Sequence, residues 1–117
     1  MKSKNLQFST GFHVVMENLD AQAATMTLAS GTAEGGPEGG PQSRHPGADQ
    51  WLCVVSGSGT ATVNGEPHPI SEGTLMLIEH GDEHEIRNTG GTPLRTLSVY
   101  VPPAYSPDGK ELPAGRS

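Results

Sequence analysis

From Trp51 to Val101 the chain never holds one pattern for longer than a short strand. Apolar or alternating runs are cut at roughly eight- to twelve-residue intervals by Gly, Asn or Pro, and helical periodicity is almost absent. Trp51 to Val55 is apolar and rich in β-branched residues. Ser56-Gly57-Ser58-Gly59 permits a sharp bend, Thr60 to Val63 alternates, and Asn64-Gly65 predicts a type I′ hairpin turn. Pro67 to Ile70 returns as a strand whose two prolines place it at a sheet edge. Thr74 to Glu79 and His84 to Arg87 follow, separated by a turn at Gly81-Asp82. Leu94 to Val101 is the last long strand, with Leu97, Val99 and Val101 on one face. Upstream, Phe12 to Met16 reads as a strand. So does Ala21 to Leu28, where Thr25 and Thr27 alternate with Met26 and Leu28. Such a series predicts an all-β chain that closes on itself, as a small antiparallel double-sheet jelly-roll β-barrel does.

A length of 117 residues suits one domain, 1–117. Of the 16 Gly and 10 Pro, many fall in the stretches 31–41 and 102–117, which leaves a barrel core over about residues 12–101. The Gly-rich loop 31–41, GTAEGGPEGGP, offers nothing to a packed core. The Pro-rich C-terminal tail 102–117 is polar and is expected to drape over the surface or a neighbouring subunit. Aromatics are few, so Val, Leu, Ile, Met and Ala must build the core, with Trp51 and Met76 read as part of it.

A net charge of −6 with seven Lys and Arg leaves no basic stripe, which argues against a nucleic-acid partner. The single cysteine, Cys53, cannot form an internal disulfide and reads as an inert thiol in an apolar strand. No signal peptide is evident behind the two N-terminal lysines, and no run is long enough to span a membrane. The expected location is cytoplasmic.

Histidines mark the functional candidates. The segment Gly73 to Asn88, GTLMLIEHGDEHEIRN, places His84 at the start of a strand behind the tight turn at Gly81. His45 stands five residues ahead of Gln50, which heads the apolar run WLCVV. Two strand-borne segments, each with a histidine at its mouth, suggest a metal or ligand site inside the barrel.

At these residues the chain resembles the cupin family. The second motif of that family reads Gly, five residues, Pro, one residue, Gly, two residues, His, three residues, Asn. Gly73, Glu79, Gly81, His84 and Asn88 fall at those places, with Glu79 in place of proline. Of the first motif, Gln50 and Gly57 keep the six-residue separation, and His45 takes the second histidine place. Ser43 stands where the first histidine would be, and Gln50 where glutamate is usual. The resemblance covers roughly residues 35 to 101 and implies a divalent metal, Fe, Mn, Ni or Zn, held inside the barrel. Carried over residue by residue, it names His45, Gln50 and His84 as the metal ligands, with Ser43 a poor one. Gln in place of Glu keeps an oxygen donor and removes a negative charge, so the expected site is labile and has open positions for water or an anionic substrate.

Asp49 is the alternative carboxylate, although strand alternation points it away from Gln50. His80 lies in the turn between the strands of the second motif, as a candidate for contact with substrate or with the ligands, or as a solvated turn histidine. Glu79, Glu83 and Glu85 form an acidic rim around His84 in the sequence, and Glu79 is a further candidate at the site. His13 and His68 read as structural or surface residues, Arg87 and Arg95 as solvent-facing or, alternatively, as pointing into the barrel to bind an anion, and Asn88 as the residue that fixes its turn.

The expected function is a metal-dependent enzyme, dioxygenase-like or related, acting on a small organic molecule. A non-catalytic cupin that binds or senses a small molecule competes with it, because two usual ligands have changed. Metal-free isomerase or epimerase chemistry with His45 or His84 as base is the third reading. The family analogy also implies a homodimer, with the N-terminal strand or the tail exchanged between subunits.

Overall fold

The structure, a computed structural model, describes residues 1–35, 43–44 and 47–106. Its strands are β1 (Gly11–Glu17), β2 (Gln22–Leu28), β3 (Ala33–Gly35), β4 (Ser43–Arg44), β5 (Asp49–Ser56), β6 (Ser58–Val63), β7 (Glu66–Ser71), β8 (Leu75–Ile78), β9 (Glu83–Asn88) and β10 (Leu94–Val101). One sheet has the order β1-β2-β10-β5-β8; the other runs β3-β9-β6-β7, with β4 also pairing β9. Every pairing is antiparallel. The two sheets face each other as a double-sheet jelly roll, the architecture the strand spacing predicts. No helix among the described residues is long and apolar enough to cross a membrane.

The turn chemistry is obeyed. Asn64 (φ 50°) and Gly65 (φ 81°) both take the left-handed region, as a type I′ turn requires. β7, with its two prolines, is the edge of its sheet. The bend expected over residues 56–59 is shorter: β5 runs to Ser56, β6 starts at Ser58, and only Gly57 lies between. Gly59 belongs to β6, and glycine is needed there because a Cβ would overlap the Arg87 carbonyl on the neighbouring strand.

The interior follows strand alternation. Leu52 and Val54 of β5, Leu94 of β10, and Met26 and Leu28 of β2 meet Ala61, Ile70 and Ile86 of the opposite sheet in one buried cluster. Ile86, Leu52 and Leu94 are almost fully removed from water. A second cluster joins Ala24, Ala48, Tyr100 and Ala104, with Phe12 and Tyr105 packed against it.

Three expectations are corrected here. Trp51 is not core: it is 45% exposed on the outer face of the first sheet, because alternation sends Gln50 and Leu52 inward. The loop 31–41 is not wholly outside the fold, since Ala33–Gly35 forms β3 against β9; residues 36–41 lie outside the described residues. The start of the tail does not drape over the surface. Pro103 and Ala104 are buried, and Gln22 holds the segment in place. The Gln22 Nε2 donates to the Tyr105 carbonyl (2.6 Å) and to Glu17 Oε1 (2.7 Å), while its Oε1 accepts the backbone N–H of Tyr105 (3.0 Å). Residues 107–117 lie outside the described residues.

β3 and β4 meet β9 at consecutive positions. Gly35 stands opposite Glu85, and Ser43 opposite His84.

Candidate functional site at the barrel mouth

Two residues along the inward row from the main cluster, the lining changes character. On β5 the row runs Val54, Leu52, Gln50; on β9 it runs Ile86, His84. Both strands therefore carry their polar residue one inward step, about 7 Å, beyond the apolar cluster and toward the same end of the barrel. Gln50 and His84 are each 4% exposed. The structure thus puts both of these sequence-predicted candidates on the inner walls of facing sheets.

β10 adds to the wall. Its inward row is Leu94, Thr96, Ser98 and Tyr100, and Tyr100 stands opposite Gln50 in the ladder. Gln50 Nε2 donates to Ser98 Oγ at 3.0 Å, which fixes the orientation of the amide. Its Oε1 is buried and has no hydrogen-bond partner among the described residues, and the same holds for Thr96 Oγ1. Tyr100 packs edge-on to Tyr105, with ring centres 5.1 Å apart, and Phe12 lies 4.6 Å from Tyr105. Burial above all, and then the neighbouring Tyr105, holds the Tyr100 phenol well above its ordinary pKa, so it stays a neutral hydroxyl.

The other candidates are placed elsewhere. His45 lies outside the described residues, and of Ser43 only the backbone pairing to His84 is described. Asp49 points away from Gln50, as alternation requires. Its Oδ1 accepts both the backbone N–H (2.9 Å) and the Nδ1–H (2.9 Å) of His80. The pair is exposed, and each partner stabilises the charge of the other. The hydrogen bond from Asp49, and then its charge, raises the pKa of His80, while the bonds from His80 lower that of Asp49. Asp49 and His80 thus clamp the start of β5 to the turn before β9. The acidic rim does not surround the imidazole of His84, because Glu83 and Glu85 alternate to the outer face of β9; Glu85 pairs there with Arg87 at 3.3 Å. Glu79 sits in the turn, where its backbone N–H donates to Asp82. Asn88 fixes its turn as expected, donating to the carbonyls of Leu28 (2.8 Å) and Thr92 (2.9 Å) and accepting from Gly90 (2.9 Å).

Sequence reasoning missed Ser98, Thr96 and Tyr100 because Leu97 and Val99 make the opposite face of β10 look like the core. The alternation itself was the available signal: one of the two faces had to line the interior. Glu34 was also missed. It pairs opposite Ile86, which puts it on the inner face of β3.

These residues fit a divalent cation. A buried carbonyl oxygen with no donor is costly, and a cation satisfies it. With an inward imidazole, the donor set is nitrogen and oxygen, suited to a first-row metal. Among the described residues no group of three or more His, Cys, Asp and Glu side chains gathers to hold an ion, and His45 is not one of them.

Comparison with known proteins agrees with this architecture. A cupin domain profile matches residues 25–100. The oxalate-binding protein of Thermotoga maritima is 30% identical over 86 residues, covering 74% of this chain and 66% of that protein. The tetracenomycin polyketide synthase protein TcmJ of Streptomyces glaucescens is 31% identical over 64 residues, 55% of this chain and 43% of that one. This chain therefore spans less than two thirds of the length of either relative. Among solved structures, a protein of Bacillus halodurans superposes with a TM-score of 0.73 at 25% identity, covering 92% of this chain and 76% of that one. With a profile match over most of its length, and with Gln50 and His84 from the two motif segments on facing sheets of a jelly roll, the chain belongs to the cupin family.

Proposed function

We propose that this cupin holds a divalent metal ion at the mouth end of its barrel through His45, Gln50 and His84, and acts there on a small organic molecule in a dioxygenase-like or related reaction. The single observation that carries the reading is Gln50 Oε1, a buried acceptor lacking a donor among the described residues, on the wall that faces the His84 strand. When bound, such an ion polarises a carbonyl or activates oxygen. The residues of the chain do the rest. Ser98 holds the Gln50 amide, so its carbonyl oxygen is presented rather than its nitrogen. The neutral Tyr100 hydroxyl is a proton donor at the same level of the ladder. The cluster around Leu52 and Ile86 closes the floor against water. Gln50 contributes no charge, which favours an anionic guest that brings its own. The similarity to an oxalate-binding protein supports a small carboxylate.

Elemental analysis of untagged protein, alongside His84→Ala, tests this. One metal ion per chain in the parent and a loss in the variant are expected. A parent that takes up none of Fe, Mn, Ni or Zn would sink the reading. The same similarity favours a second reading, in which the barrel binds a small acid without turning it over. Calorimetric binding of oxalate with no product formed would select it.

We also propose that the protein is a cytoplasmic homodimer. Trp51, Val55, Leu75, Leu77 and Val101 leave a contiguous apolar outer face on β8, β5 and β10, with Leu75 64% exposed. These side chains expose on the order of 400 Å², at the upper range of patches on monomers and about half of what one partner contributes to a standard interface. Half-buried Leu97 and Val99 extend it. Leu77→Glu is expected to give a monomer in sedimentation; a parent that is itself monomeric would refute the pairing.

A further inference from the structure

We infer that Glu34 supplies the negative charge that Gln50 leaves missing, acting as the carboxylate of the barrel toward a divalent cation from β3 instead of β5. This rests on the metal reading above. Glu34 stands opposite Ile86, whose side chain is in the buried cluster, so its own side chain lies on the inner face. His84 is two residues from Ile86 on that same face. Glu34 and His84 are therefore diagonal neighbours, about 7–8 Å apart between Cα atoms, a span that long side chains cross.

The field of Glu34 also reaches Tyr100 on the opposing sheet, and Tyr100 faces Gln50 in its ladder. Solvent reaches much of Glu34, yet the barrel wall strips enough water to raise its pKa above the ordinary carboxylate value. A cation nearby relieves that cost.

The other carboxylates near this end are otherwise engaged. Asp49 is held by His80 on the outer side, Glu83 and Glu85 face outward, and Glu17 accepts from Gln22. The neutral amide at position 50 and the inward carboxylate at position 34 make a consistent pair: Gln50 keeps its oxygen donor, and the charge has moved to another strand.

Co²⁺ is the probe. Its dissociation constant is measured by calorimetry for the parent, Glu34→Gln, Glu34→Asp, and Glu34→Gln combined with Gln50→Glu. Glu34→Gln should weaken binding by about tenfold, the scale of one charge at this range in a partly solvated site. Its melting temperature in EDTA should match the parent. Glu34→Asp should fall between the two, and Gln50→Glu should restore the affinity lost in Glu34→Gln. A parent that binds no Co²⁺ overturns the metal reading itself. A parent that binds, with Glu34→Gln binding equally well, overturns the role of Glu34 alone. Failure of Gln50→Glu to restore affinity overturns charge as its cause.

Discussion

The apolar and the polar stretches of this interior are built from the same strands, yet they are different materials. In the apolar stretch, Leu52, Val54, Leu94, Met26, Ile70 and Ile86 fill the space between the sheets with hydrocarbon. One inward step along β5 and β9, the lining is an amide and an imidazole, Gln50 and His84, and the buried Tyr100 of β10 stands opposite Gln50. Stability is concentrated where apolar surface meets apolar surface. Chemistry is concentrated where a buried acceptor still lacks a donor among the described residues. On β5 and β9 the two are separated along the strand axis, so the position of a residue along these strands decides what its loss will do.

The sharpest attack on that division is Leu52→Ala. The side chain is fully buried, and its removal should cost about 3 kcal/mol of unfolding free energy. Denaturant unfolding reads the loss, while Co²⁺ affinity of the folded variant should stay at the level of the parent. A folded variant that also lost metal binding would break the division.

Gln50→Leu tests the polar stretch. It deletes one hydrogen bond to Ser98 and also one unpartnered buried acceptor, so the net change in stability should stay within about 1 kcal/mol. Metal uptake should be abolished. A loss as large as that of Leu52→Ala would mean the mouth carries the fold as well.

The smallest effect belongs to the clamp outside the mouth. His80 has its pKa raised above 6.5, so its contribution is complete below that value and fades as pH climbs through the raised one. Asp49 has its pKa lowered below 3.8, so its contribution is complete above that value and fades as pH falls through the lowered one. The pair therefore supports the fold most at roughly pH 5. Melting curves in EDTA should show Asp49→Asn furthest below the parent there, and the gap closing at alkaline pH. The proton NMR titration of His80 should drop back toward the ordinary imidazole midpoint in the variant. An unmoved midpoint would show that the contact is absent in solution.

Much of this architecture was legible in the chain. Asn64-Gly65 gave the hairpin and the prolines of β7 gave the edge, because turn geometry and missing donors are local constraints. The spacing that ends at Asn88 set His84 on an inward row. What was not legible came from tertiary choice. β10 has one apolar face and one face of Thr, Ser and Tyr, and period-two alternation does not say which is inside. The apolar face of β10 lies outward beside Trp51 of β5, so the usual inside–outside guess inverted. β3 hid in a stretch whose glycines read as loop, and with it Glu34. The segment after Val101 read as polar tail, but Gln22, far away in sequence, supplies the hydrogen bonds that tie it down.

The ladder along β9 carries a further consequence. Neighbouring residues Glu85 and His84 pair with Gly35 and Ser43, so β9 is served in unbroken succession by two separate pieces of chain. One strand therefore sets the level of both pieces, and a slip of β9 by a single residue would displace Gly35 and Ser43 together while turning His84 out of the interior.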